Sequence, residues 1–250
     1  MTVLISIYLF ILGAILTSFY TLVGMRVPKN QSINGRSICD SCDAKIPWYG
    51  LIPILGYLLV GGKCASCNAH ISIKYPLYEL FGGLLFVLGY LVLMNNIAEY
   101  IIYLFFVSLM IIVSVSDIEY QIVPDKVLLF FLPFIFVLRM LFPFTTWYFS
   151  LLGAVFGFLF MLLIAYYGKK RFKQDALGGG DIKLYFLIGL FLEVHLVFLS
   201  LFFAAILGII LGKIVMKKVN PIPFVPFIFF GSLLAYFIGD PLLTWYTSLF

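Results

Sequence analysis

Long apolar runs separated by short polar joints dominate this chain of 250 residues. A helix crosses the core of a bilayer with about 20 apolar residues, within a range of about 17–25. Eight stretches approach that demand: residues 3–25, 76–94, 100–116, 127–142, 147–167, 182–192, 194–215 and 224–239. The first is too long for a signal-peptide core and has no lysine or arginine before it, so it is expected to persist as a helix. The sixth is the shortest, with 11 residues before Glu193 and His195. Joined to the seventh, it would make one helix from Ile182 to about Lys213, about 48 Å long at about 1.5 Å per residue and longer than a bilayer requires. One polar block, residues 26–75, interrupts the pattern and is the sole candidate for a separate water-facing unit. No internal repeat stands out along the chain.

Composition turns this pattern into a class. Hydrophobic residues make up 64% and charged residues 11% of the chain, against about 45–50% and about 25% in soluble domains. A disordered chain, a secreted disulfide scaffold and a free nucleic-acid binder are excluded together. The expected fold is an all-α polytopic membrane protein of about eight transmembrane helices. It divides into a first helix (1–25), a cysteine-bearing cytoplasmic block (26–75) and a helical domain (76–250).

The net charge of +5 is informative through its placement. With eight spans and an outside N-terminus, the inside loops hold Arg26, Lys29, Arg36, Lys45, Lys63, Lys74, Lys126, Lys169, Lys170, Arg171, Lys173, Lys183, Lys213, Lys217 and Lys218. Those are 15 of the 16 basic residues; Arg139 alone falls near the outer face. Merging the sixth and seventh spans would move the last three outside, against the positive-inside bias.

All four cysteines sit in the polar block, as Cys39-Asp-Ser-Cys42 and Cys64-Ala-Ser-Cys67, with 21 residues between the pairs. A two-residue gap lets both thiolates of a knuckle face one ion, and two knuckles complete a tetrahedral zinc site. Two disulfides are the alternative, disfavoured because the block is expected in the reducing cytoplasm. A block of this size has little core, so a structural Zn2+ would supply folding energy.

Acidic residues at the edge of a span are functional candidates because they are costly there. Asp117 closes the third span, where the helix macrodipole disfavours a negative charge by about 0.3–1 kcal/mol. Asp125, after Pro124, has an ordinary account as the N-cap of the fourth span. Asp181 follows three glycines, Gly178-Gly179-Gly180, and reads equally as an N-cap or as an acid facing a water-filled cavity. Both Asp117 and Asp181 lie at the cytoplasmic ends of spans although 64 positions apart. Folding can bring them together, and two close carboxyls divide into a proton-bearing acid and a base that activates water. His70 and His195 fall on opposite sides of the membrane, which leaves no plausible Ser-His-Asp set.

These residues resemble a known family. Asp117 with Pro124-Asp125, and Gly178-x-Gly180-Asp181-x-Lys183-Leu184, are similar to the two active-site motifs of type IV prepilin leader peptidases, membrane aspartyl proteases of the Gly-x-Gly-Asp class. The likeness extends to Arg36-Ser-x-Cys39-x-x-Cys42, Gly62-Lys63-Cys64-x-x-Cys67, Tyr75-Pro76-x-x-Glu79 and Ile222-Pro223-Phe224-x-Pro226-Phe227, and the chain is similar to the competence-type versions. The resemblance implies a multi-pass enzyme of the bacterial cell membrane that cuts the short basic leader from prepilin-like proteins at the cytoplasmic face. It implies Asp117 and Asp181 as the catalytic pair, with Gly178, Gly180, Lys183, Pro124 and Asp125 as motif support. It implies zinc on Cys39, Cys42, Cys64 and Cys67. For members that also N-methylate the new terminus, it implies S-adenosylmethionine as donor and ties Glu79 to that activity, an interfacial acid beside Lys74 being the alternative. Membrane lipids are further expected partners, with the loop Lys169–Lys173 facing anionic headgroups or simply obeying the charge bias; nucleic acid is not. A transporter or channel with an aspartate proton relay and a zinc docking module is the competing expectation, with a membrane scaffold as a third. The missing inverted repeat and the placement of both acids at one face count against the transporter.

Overall fold

The computed structural model describes residues 1–39, 41–173, 177–215 and 222–249, with backbone alone at 172 and 212–215. Lys217 and Lys218, used in the charge count, lie outside the described residues. The helices are α1 (Thr2–Arg26), a short α2 (Leu55–Leu59), α3 (Lys74–Leu93), α4 (Ile97–Tyr120), α5 (Asp125–Leu141), α6 (Trp147–Phe172), α7 (Gly179–Phe191), α8 (Val194–Val215) and α9 (Val225–Thr247). The extended pairing among the described residues amounts to two isolated antiparallel bridges, Ile38 with Lys45 and Lys63 with His70.

The eight apolar stretches all became helices. Six of them, α1, α3, α4, α6, α8 and α9, are long and apolar enough to cross a membrane. The 17 residues of α5 and 13 of α7 reach only about 26 Å and about 20 Å against a hydrocarbon core of about 30 Å. The sixth and seventh stretches are separate helices, as the charge placement requires. Glu193 breaks them: its buried carboxylate accepts hydrogen bonds from the Thr145 N–H at 2.9 Å and the Thr145 hydroxyl at 2.8 Å. Its carbonyl accepts from the Leu196 and Val197 N–H groups in the first turn of α8. The last stretch runs beyond residue 239, because α9 carries Pro241 inside the helix and continues to Thr247.

The chain forms two compact units, Met1–Ile112 and Val113–Phe250. In the first, α1 packs on α3 through small residues that let the backbones approach. A methyl on Gly82 would overlap the Thr17 side chain. The Tyr100 and Tyr103 hydroxyls donate to the α3 carbonyls of Phe86 and Leu85, both at 3.1 Å.

In the second unit, α6 and α7 meet backbone to backbone. A methyl on Gly189 would overlap the Gly153 carbonyl and lie 2.8 Å from the Ala154 Cα. Arg139, the one cation outside the charge bias, is wholly buried. Its Nη2 donates to the Phe191 carbonyl at 2.9 Å, at the negative end of α7, where a cation is favoured. Its guanidinium lies over the rings of Phe191 and Phe144, at 5.1 and 5.7 Å from their centroids. The odd charge therefore serves as a helix C-cap. Arg139→Ala should lower the melting temperature in detergent by the equivalent of about 2 kcal/mol, the worth of a buried charged hydrogen bond. Arg139→Lys should recover part of it, and an unchanged melt would refute the cap.

Candidate active site and metal centre

Asp117 lies in the last turn of α4, where the macrodipole works against a carboxylate. The second unit compensates from the other end of a helix. Asp117 Oδ2 accepts the Val225 N–H at 2.9 Å, and Val225 is the first residue of α9, after Phe224 at the cap. The Phe224 backbone N–H also donates to it. A buried carboxyl group thus sits on the positive end of α9 and satisfies donors that every helix start leaves open. Pro226 occupies the next position and has no N–H to satisfy. The sequence 222–227 marks this helix start by its prolines, but a backbone donor leaves no side-chain signature to find.

Asp181 is not an N-cap. Gly178 caps α7, and Asp181 stands in its first turn, buried. Its carboxylate accepts the Gly178 N–H, as an acid in the first turn of a capping box does. The negative charge of Asp117 is felt at Asp181, so the fold brings within electrostatic reach two acids 64 positions apart.

The approach depends on Gly180. A methyl there would meet the Val123 Cβ at 2.5 Å and its Cγ2 at 2.9 Å, so α7 could not close on the loop after α4. Gly179 faces open space, and a methyl on Gly178 would make only ordinary contact with Asp181. Ser116 tightens the same loop by donating its hydroxyl to the Ile122 carbonyl at 2.5 Å.

The motif residues around the acids hold the two turns in register. Pro124, not Asp125, caps α5, which corrects the N-cap expectation for Asp125. Asp125 instead receives Lys183 Nζ at 2.8 Å on both oxygens, joining the first turn of α5 to that of α7. Both side chains are more than half exposed, so the pair is worth at most about 1 kcal/mol and acts as a positioning strut. His195 pairs with Asp240 at 2.9 Å, at the far end of α7 from the two acids.

The cysteine block forms a second centre. All four Sγ atoms lie within 4.8 Å of one another, with Cys39–Cys67 at 3.8 Å and Cys42–Cys64 at 3.9 Å. A tetrahedron with bonds of about 2.3 Å has edges of about 3.8 Å, so the set fits one zinc ion. The cysteines are free thiols rather than disulfides. The Cys67 and Ser66 backbone N–H groups pull the Cys64 thiol down to about 6. The Ala44 backbone favours the Cys42 thiolate, yet hydrogen bonds to Cys67, burial, and hydrogen bonds to Cys39 and Cys64 push Cys42 up to about 12. Four sulfurs this close cannot all ionise without a cation among them.

The two knuckles are copies. The Cys39 N–H donates to the Ala44 carbonyl and the Asp43 N–H to the Cys39 carbonyl; in the second, Cys64 to Ala69 and Asn68 to Cys64. Asp43 and Asn68 both take positive φ, 55° and 58°, a conformation that Asp and Asn tolerate well. A short internal repeat, Cys-x-Ser-Cys-(Asp or Asn)-Ala-x-Ile, underlies this, although none stood out in the sequence. Glu79 lies in the same unit, and its Oε2 accepts the Ile54 N–H at 2.7 Å.

Comparison with known proteins gives two family matches. Residues 11–93 match the bacterial peptidase A24 N-terminal domain and residues 104–213 the type IV leader peptidase family. A prepilin leader peptidase/N-methyltransferase of Bacillus subtilis (strain 168) is 39% identical over 96% of this chain and 97% of its own length. Proteins of the same description from Myxococcus xanthus and Pseudomonas aeruginosa are 35% and 28% identical, over 84% and 92% of the chain and 62% and 89% of theirs. No solved structure matches at a significant level.

Two outcomes test the geometry. Gly180→Ala should destabilise the protein by about 1–3 kcal/mol through overpacking, whereas Gly179→Ala should be neutral or stabilise it by up to about 1 kcal/mol; equal melts would remove Gly180 from the approach. Elemental analysis of reduced, folded protein should return about one zinc per chain, falling well below one in Cys64→Ser, because three thiolates hold the ion more weakly than four.

Proposed function

Since the chain belongs to the type IV leader peptidase family, we propose that it is the aspartic endopeptidase that removes the leaders of prepilin-like proteins, with Asp117 and Asp181 as its catalytic pair. The observation that supports the assignment is that two buried aspartates, delivered by separate helices, lie within electrostatic reach of one another. Residue roles follow from their anchors. Asp117 is held by the α9 backbone and Asp181 by the Gly178 N–H, so among the described residues both carboxyls are oriented by backbone amides rather than by a cation.

A water between the pair gives up a proton to the carboxylate member, and its oxygen bonds to the scissile carbonyl carbon. The protonated member gives its proton to the carbonyl oxygen, so the tetrahedral intermediate forms without separated charge. Its collapse breaks the C–N bond: the first carboxyl protonates the leaving nitrogen while the second carboxylate takes back a hydroxyl proton, which gives the free acid and amine and restores the pair. No covalent enzyme intermediate is formed.

The short α7 supports a cut near the membrane surface. At about 20 Å it is shorter than the core is thick and crosses only where the bilayer thins locally, and Asp181 stands at its first turn. The clustering of basic residues on one side of the spans supports a cytoplasmic orientation of that end and substrates with short basic leaders presented there. The relatives' names couple the peptidase to an N-methyltransferase. We assign that second step, with S-adenosylmethionine as donor, to the unit that carries the cysteine block and Glu79, which lies within the N-terminal domain match. Zinc on the four cysteines is structural, since all four tetrahedral positions are filled by protein. A transporter or channel is not supported, because both matches are to peptidase families.

Asp117→Asn keeps an acceptor for the Val225 N–H, and Asp181→Asn keeps one for Gly178, so both variants should fold. Each should cut a prepilin-like substrate at least about 100-fold more slowly than wild type, the loss expected for an essential acid or base. Cleavage at the wild-type rate by either purified variant would remove that aspartate from the mechanism.

A further inference from the structure

The block between α1 and α3 is polar by composition, yet between its knuckles lies a stretch with no charge. Residues 47–60 read Pro-Trp-Tyr-Gly-Leu-Ile-Pro-Ile-Leu-Gly-Tyr-Leu-Leu-Val. These side chains do not form a core. Trp48 is 73% exposed, and Leu55, Leu58 and Leu59, on one face of α2, are 57%, 67% and 66% exposed. An apolar surface of this kind on a folded protein marks a partner or a membrane.

We propose that residues 47–60 insert into the bilayer that α3 crosses and anchor the cysteine cluster at its anionic surface. Three observations commit the patch to lipid. The first is a tether of fixed depth. The Ile54 N–H donates to Glu79 of α3 at 2.7 Å, and Glu79 is five residues beyond Lys74, where α3 begins. That is about 7–8 Å along the axis, within the about 5–10 Å at which interfacial elements bury their apolar face. The second is continuity, because Ile73, Leu77 and Leu80 at the start of α3 are exposed as well and extend the apolar surface into the span.

The third is charge. Residues 26–75 hold six basic side chains against Asp40 and Asp43. Lys45, Lys63 and Lys74, which flank the stretch and the start of α3, are exposed, and each lysine near an anionic surface contributes about 1 kcal/mol. Trp48 and Tyr49 are the aromatic types that gather at the membrane–water boundary.

The local backbone keeps the insert rigid. Ile54 has φ 62° and ψ −56°, with the Leu55 N–H donating to the Pro53 carbonyl at 2.6 Å, a strained γ-turn that persists only where its surroundings enforce it. Glu79 supplies that enforcement through the amide of the strained residue itself.

The test uses the full chain with Trp147→Phe and Trp245→Phe, which leaves Trp48 as the sole tryptophan. It is reconstituted in vesicles of phosphatidylcholine and phosphatidylglycerol. Lipids brominated near the headgroup end of the acyl chain should quench most of the Trp48 emission, and aqueous acrylamide little of it. In the same vesicles Glu79→Ala should shift Trp48 towards acrylamide, while Glu79→Gln, which keeps the acceptor oxygen, should not. Trp48 open to acrylamide and untouched by brominated lipid would overturn the proposal. So would shielding that appears only when a prepilin-like substrate is added, which would give the patch to the substrate instead.

Discussion

A carboxylate at the end of one helix, resting on the first amide of another, is the contact on which the second unit depends. Asp117 by itself is badly placed, since the last turn of α4 presents carbonyl oxygens and a partial negative charge. The first turn of α9 presents the opposite, an unpaired Val225 N–H and a partial positive charge. Each helix end supplies what the other lacks. The cost of burying a carboxyl group is met by donors that would otherwise be left open.

The remaining site contacts serve to bring a second acid to the first. Gly180 lets α7 pass Val123 at backbone distance, and Lys183 on Asp125 ties the starts of α5 and α7. The Gly153–Gly189 contact holds α7 against α6, and Arg139 closes its far end. A helix of 13 residues with so many fixed neighbours is positioned by tertiary packing rather than by its own propensity. The small residues along it are therefore requirements of approach, and their distribution is uneven: Gly180 is needed, while Gly179 is free.

The metal centre follows a different logic. Two copies of one turn, each closed by the same backbone hydrogen bonds, deliver two sulfurs apiece. Local sequence nearly suffices for each copy, which is why the cysteine spacing could be read as a zinc site. The repeat is inconspicuous in the sequence because it is short and its shared positions are separated by variable ones. The apolar stretch between the copies was hidden too, by the polar average of the block around it.

Sequence alone determined the class, the approximate position of every long helix and the four-cysteine set, and it drew attention to both aspartates. All of these are written in local pattern or in the identity of a reactive side chain, and apolar runs and cysteine spacing are local quantities. Tertiary structure decided what they touch. The donor to Asp117 is a backbone amide 108 residues away, and an amide has no residue identity to recognise. Asp125 looked like a cap and became one half of a strut, because Pro124 took the cap and Lys183 came within reach only on folding. Arg139 looked misplaced until the end of α7 lay beside it. In each case the determinant is the electrostatic end of a helix or a group on a distant one, and neither exists until the helices have packed.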